Sequence, residues 1–290
     1  DAAQAVRARR VAWLWTLAGG KTTGAPDSGA SAALLVWACY RPIPHVSRAV
    51  LALAILRAYS APTPKEKGRP MSDPAAMTDH ERYFLDLNGY ILLEGVLSPA
   101  TVERLNEEID AQELAQPTDD IWSQRFGGFF MWNQVFRDLI DNERVLGVTL
   151  EMMGDKLRLD HAYGILMGKG NVGLHLHGQS TPYDPSQYYI HRNGRMYNGL
   201  TVVSFALSDV GPADGGFCCV PGSHKSNYRL PDDVRNFEAH REWVCQPPHK
   251  AGDVVIFTEA LTHGTLPWQG DQHRRSLLLK YAPSHLAWGK

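Results

Sequence analysis

Gly173-Leu-His-Leu-His-Gly-Gln179 alternates apolar and imidazole side chains between two glycines. In a β-strand, residues i and i+2 share a face, so a strand here would aim His175 and His177 at one point. Downstream, Thr262-His-Gly264 offers a third imidazole, His263, and Arg274 follows it eleven residues later. Three imidazoles from two stretches of chain would leave an ion's remaining positions open to a co-substrate and oxygen. Arg274 would add a planar fork for a carboxylate beside that ion. Each feature alone has a plainer explanation: solvated edge histidines, a hydrogen-bonded core imidazole, an arginine in an ordinary ion pair. Their order along one chain favours a metal centre.

Working outward, the chain beyond residue 155 breaks into short apolar runs separated by Gly-Pro, Asp-Gly and Pro-Gly turns. Strands are predicted at 156–163, 173–179, 199–207, 216–220, 243–246, 253–257 and 276–281. Upstream, Thr78-Asp-His-Glu81 reads as a capping start for a helix through Leu87, and Asn88-Gly89 turns into a strand over 90–94. Ser98-Pro99 opens an amphipathic helix to Ile109, 126–130 reads as loop or edge, and 141–153 is a helix stopped at Gly154. Helices followed by closely spaced strands predict a mainly β fold with α: a β-sandwich or jelly roll over about 156–285, under a helical layer over about 78–155. Arg274 and Arg275 precede an apolar strand, so one of the two must face inward, where a guanidinium needs an anionic partner.

The bulk properties suit a soluble enzyme. An apolar share of 44% supports a sizeable core, and a net charge of −2 gives no electrostatic reason to expect nucleic acid or an anionic membrane as partner. Cys39, Cys218, Cys219 and Cys245 have neither metal-knuckle nor disulfide-framework spacing, which points to reduced thiols and a cytoplasmic setting. Residues 1–70 differ from the rest: Ala, Arg and Gly are frequent and only Asp1, Asp27 and Glu66 are acidic. Two readings fit this segment, an organelle-targeting leader or an upstream extension before a natural start at Met71, and the second is favoured. It holds no uninterrupted apolar run of membrane-spanning length.

From Met71 onward the chain resembles the phytanoyl-CoA dioxygenase family of iron(II)- and 2-oxoglutarate-dependent oxygenases. Asn88-Gly-Tyr-Ile-Leu-Leu-Glu-Gly-Val-Leu-Ser98 resembles that family's opening segment. Leu207-Ser-Asp-Val-Gly-Pro-Ala-Asp-Gly-Gly-Phe217, leading to Pro221-Gly-Ser-His-Lys225, resembles its central signature. Ala251-Gly-Asp-Val-Val-Ile-Phe257, then His263 and Arg274, resembles its closing one. The resemblance implies a double-stranded β-helix (jelly roll, cupin-like) over 71–290 that holds Fe(II) through His-x-Asp and a distal histidine, with 2-oxoglutarate and O2 as co-substrates. The distal ligand falls on His263, the co-substrate arginine on Arg274, and a helping hydroxyl on Thr265.

The sequence departs from the family at the acid. With His175 as first ligand, His177 occupies the carboxylate position; with His177 first, Gln179 does. The favoured set is His175, His177 and His263, since the first two would share a strand face and imidazole suits iron. Gln179, or Asp184 from the following loop, remains as an alternative ligand, as does an open position. His224 reads as structural, Asp209 and Asp214 as turn formers. Asp160 and His161 read as packing or surface, and Trp132, Tyr183, Tyr188, Tyr189 and Tyr197 as candidates for a substrate mouth. The expected activity is oxidation of a small organic molecule. The competing readings are a three-histidine zinc enzyme and a non-catalytic metabolite binder.

Overall fold

Reciprocal side-chain caps begin the helical layer. In this computed structural model, which describes residues 76–117, 123–179 and 181–288, the Thr78 hydroxyl accepts the Glu81 N–H at 3.2 Å while the Glu81 carboxylate accepts the Thr78 N–H at 2.7 Å. The segment expected to be a leader or upstream extension lies outside the described residues. Helix α1 (Asp79–Asn88) ends on Gly89 at φ 82°, a left-handed backbone that glycine adopts without strain. After strand β1 (Tyr90–Leu93), Ser98 caps α2 (Pro99–Asp110), with proline at the first turn where no N–H is missed. Next come β2 (Gln124–Phe126), a 3-10 turn (Phe129–Met131), α3 (Gln134–Arg137) and α4 (Glu143–Met153), the last capped by Asn142.

The remaining strands are β3 (Leu157–Met167), β4 (Leu174–His177), β5 (Tyr189–Arg192), β6 (Arg195–Asn198), β7 (Thr201–Ala206), β8 (Gly216–Cys219), β9 (Val254–Thr258), β10 (His263–Leu266) and β11 (Arg274–Pro283). They form a six-stranded sheet in the order β1-β9-β7-β11-β3-β2, a three-stranded sheet β4-β10-β8, and the hairpin β5-β6, antiparallel throughout. Neighbours far apart in sequence, such as β1 with β9, mark the crossing connections of a jelly roll.

Burial along the strands follows from this layering. On one face of the large sheet, Val203, Phe205, Val254, Ile256, Leu277 and Leu279 join Leu105, Phe136, Val148 and Met152 of the helical layer in one core. The opposite face turns Ile165, Met167, Val202, Val255, Phe257 and Leu278 toward Phe217, Cys219 and Leu261. Alternation therefore sends Arg274, Ser276, Leu278 and Lys280 of β11 into the space between the sheets. Arg275 faces the other way and pairs with Asp110. Burying a large side chain stabilises by about 1.5–3 kcal/mol, so the two cores together hold the sandwich against chain entropy.

Two local expectations need revision. The predicted strand over 243–246 is instead a 3-10 turn (Arg241–Trp243) followed by a single bridge from Cys245 to Cys219. Pro247 and Pro248 have no N–H to continue a ladder, so pairing stops there. The hairpin β5-β6 was not anticipated; Asn193 and Gly194 at positive φ turn it, but its flanks are mostly exposed and lack an apolar period. Among the described residues no helix is long and apolar enough to cross a membrane.

Phe205 is fully buried between β7 and the helices. Replacing it with Ala is expected to cost about 3–5 kcal/mol in urea unfolding; a change under about 1 kcal/mol would contradict the assigned core.

Candidate metal centre

Antiparallel register does for two histidines what sequence spacing alone could not. His263, first residue of β10, stands opposite His177 on β4 and opposite Cys219 on β8. The His177 and His263 rings lie 4.3 Å apart between centroids. Two imidazoles bound at right angles on one ion, with bonds of about 2.1 Å, have centroids about 4.6 Å apart, so this pair fits a shared metal.

Both rings are pinned the same way. His177 Nδ1 lies 3.0 Å from the His175 carbonyl oxygen and His263 Nδ1 lies 2.7 Å from the Leu261 carbonyl oxygen. A carbonyl only accepts, so each Nδ1 carries the proton and donates, and each Nε2 is left as the lone-pair nitrogen a metal requires. Burial, with repulsion from His177, brings the His263 pKa down to about 4; burial also lowers that of His177. Both rings are therefore neutral at ordinary pH. Gly178 makes the approach possible: a Cβ there would lie 2.4 Å from the Leu261 oxygen and 2.8 Å from the Glu259 oxygen.

His175 does not join them. Between His263 and Thr265 the β10–β4 register slips by one residue, so Thr265 pairs with Leu174. This bulge breaks the alternation on which the shared-face expectation relied. The His175 ring is exposed, 6.1 Å from that of His177, and its Nε2 lies 2.9 Å from Arg235 Nη2. Among the described residues no three His, Cys, Asp or Glu side chains already surround one point.

The alternative ligands also face elsewhere. Gln179 has φ 79°, a left-handed turn that swings its side chain away so that Oε1 accepts the Leu230 N–H at 3.0 Å. The Asp184 carboxylate accepts from the N–H and hydroxyl of Ser186. Asp209 and Asp214 accept backbone N–H groups of Ala251 and Gly211, as turn formers do. Asp160 pairs with Arg158 and His161, and Trp132 stacks on Phe126 in the helical core.

A carboxylate that sequence reading passed over stands beside the pair. Glu259, in the turn joining β9 to β10, is buried, with Oε2 3.9 Å from His263 Nε2 and Oε1 paired with Lys280. Burial works to raise its pKa, but Lys280, His263 and His177 together hold it near 2. Its signal in the sequence was position alone, four residues before His263.

Arg274 completes the arrangement. Only 4% exposed, it has no carboxylate partner among the described residues: Nη1 meets Met167 Sδ at 3.5 Å and Nε is unpartnered. Burial pushes its pKa down to about 10, so it stays charged at neutral pH. A Cβ on Gly216 would lie 2.8 Å from its Nε, so the glycine makes room for the guanidinium. Ser276, next along the same face, also has a buried hydroxyl without a partner. Buried polar groups left unsatisfied are uncommon and point to a missing ligand. Thr265 is buried on β10, about 7 Å along the strand from His263. That separation suits a five-carbon diacid chelating at one end and held at the other.

His224 supports this site without entering it. Its Nε2 donates to the Asp86 carbonyl at 3.1 Å, and its turn fixes Thr262 through the Ser223 hydroxyl. A surface concavity around Asp86, Tyr189, His191 and Lys225 shares no residue with the centre described above.

Comparison with known proteins identifies relatives of this chain. The profile of the family described as phytanoyl-CoA dioxygenase matches residues 85–276. A dioxygenase from Gibberella moniliformis, FUM3, is 26% identical over 248 residues, covering 79% of each chain, and the Alternaria alternata dioxygenase ALT11 is 25% identical, covering 69% of each. Crystal structures of HygX from Streptomyces hygroscopicus superpose with TM-scores of 0.64, with nickel and 2-oxoglutarate bound at 26% identity, and 0.65, with hygromycin B bound as well at 25%. Each covers 73% of this chain and 89% of HygX.

Burial, with Lys225 adding to it, lowers the His224 pKa from 6.5 to about 4. The unfolded chain takes up that proton first, so the stability owed to neutral His224 is present above pH 6.5 and is lost as pH falls toward 4. Urea midpoints of the wild type are expected to fall more steeply across that window than those of His224→Gln; parallel curves would contradict a buried neutral ring.

Proposed function

The chain belongs to the phytanoyl-CoA dioxygenase family and is an iron(II)- and 2-oxoglutarate-dependent dioxygenase; on that premise we propose that it holds the metal through His177 and His263 and the co-substrate through Arg274, and that it oxidises a small organic molecule. The observation that carries the residue assignments is the pair of orphaned functions: two neighbouring imidazoles whose Nε2 lone pairs are free, and a buried guanidinium with no carboxylate partner among the described residues. A guanidinium this deeply buried is expensive without an anion, and the distal carboxylate of 2-oxoglutarate supplies one.

The roles of the chain's own groups follow from their surroundings. Leu261 and His175 carbonyls fix the imidazole tautomers, so no proton has to leave before metal binds. Arg274 and the hydroxyls of Thr265 and Ser276 orient the co-substrate's far carboxylate between the sheets. Phe217 and Phe257, packed beside the His263 ring, keep bulk water from that side of the centre. Iron(II) and 2-oxoglutarate, when bound, supply oxygen activation coupled to breakdown of the co-substrate to succinate and carbon dioxide. HygX, crystallised with hygromycin B, supports a small-molecule substrate for this chain.

A three-histidine zinc site would require His175, which is exposed against Arg235. A non-catalytic binder is separated by measurement: iron-loaded protein should release succinate in step with oxygen uptake, whereas binding without succinate would indicate a binder. His263→Ala should lose iron retained through anaerobic desalting; unchanged iron content would refute its role as ligand. Under the same conditions Arg274→Ala should weaken 2-oxoglutarate binding on the order of 10- to 100-fold by calorimetry, the worth of charge-assisted hydrogen bonds. Arg275→Ala should stay near wild type, and equal losses at both would overturn the assignment.

A further inference from the structure

We propose that Glu259 is the protein's carboxylate ligand, so that a His177–His263–Glu259 triad replaces the missing His-x-Asp acid, with Lys280 holding the carboxylate's other oxygen. This deepens the reading of the site as an iron centre and rests on it. Every position from which the sequence pattern would supply an acid is spent. Gln179 turns away to Leu230, Asp184 is tied to Ser186, and His175 lies outside against Arg235.

Toward His263, Glu259 meets the geometric requirement. Two ligands of one ion, with bonds of about 2.1 Å each, stand no more than about 4.2 Å apart. The Oε2-to-Nε2 distance to His263 is 3.9 Å, and right-angled ligation would draw the carboxylate in by about an ångström. Its backbone is anchored for the purpose: the Glu259 N–H donates to Leu200 O at 2.9 Å, and its carbonyl abuts Gly178, one residue past His177. The side chain is therefore fixed from the same short turn that carries His263, while β4 brings His177 to both.

Lys280 explains why the carboxylate stays in place. It reaches Glu259 from the inner face of β11 and also lies 5.7 Å from the Tyr163 ring centroid. By occupying Oε1 it leaves Oε2 toward the histidines, which favours one-oxygen ligation. A buried ion pair is weak grounds for stability, since matched apolar replacements are often neutral or better. A role for this pair beyond stability is the more economical account of its position beside two imidazoles.

The test is manganese(II) affinity of the full-length protein, measured anaerobically by calorimetry and by electron paramagnetic resonance of the free ion, with thermal melts to check folding. Glu259→Gln should weaken manganese(II) binding on the order of 100-fold or more, at or beyond the largest losses seen when mere outer partners are removed. Glu259→Asp, which keeps an acid, should fall between, and serves if the Gln variant folds poorly. The double variant Glu259→Gln/Lys280→Met decides between ligand and counter-ion. If Glu259 only neutralises Lys280, removing both restores affinity and the proposal fails; if it binds the metal, affinity stays low. Wild-type affinity in Glu259→Gln would also overturn the proposal while leaving the histidine pair intact. Equal, negligible binding by wild type and His263→Ala would overturn both this proposal and the underlying reading.

Discussion

The proposed chemistry depends on a cross-strand register. β10 is held between β4 and β8, and that double pairing places His263 opposite His177 while fixing the backbone carbonyls that orient both rings. A one-residue slip would turn His263 to the other face of its strand, away from its partner. Two constraints keep the register: the close packing allowed by Gly178 and Gly264, and the Pro221–Lys225 turn that ties Thr262 through Ser223. The bulge between His263 and Thr265 belongs to the same design, because it seats Thr265 against Leu174 while turning His175 out.

Electrostatics divides the space between the sheets into two ends. β11 contributes a cation to each: Lys280 at one, neutralised by Glu259, and Arg274 at the other, with no carboxylate beside it among the described residues. The contrast carries information. The Lys280–Glu259 pair balances its own charge, whereas a guanidinium buried without a carboxylate among the described residues is costly and fits a site that receives an anion. On the proposed assignment, neutral imidazoles near the first end and a cation at the second give a bound diacid a single orientation.

The fold was largely legible in the sequence because its signals are local or periodic. Capping at Thr78 and Ser98, the stop at Gly154, and apolar runs punctuated by turns placed most elements within a residue or two. The 243–246 segment misled because its apolar residues precede two prolines that end a ladder. Of the proposed site, His177, His263, Thr265 and Arg274 could be named from alternation, order and resemblance. His175 was misplaced because alternation assumes a regular strand, and a bulge is invisible in composition. Glu259 and Ser276 were missed for a different reason. Each is recognised only by what surrounds it, an acid buried beside two imidazoles and a hydroxyl without a partner, and neither property exists before the chain is folded.

Diffraction from anaerobic crystals grown with manganese(II) and 2-oxoglutarate would locate the ion and the anion in a single experiment. The proposed site requires an anomalous peak within bonding distance of the Nε2 atoms of both His177 and His263, with the far carboxylate of the diacid on the Arg274 guanidinium. A peak on His175, or a diacid bound away from Arg274, would contradict it.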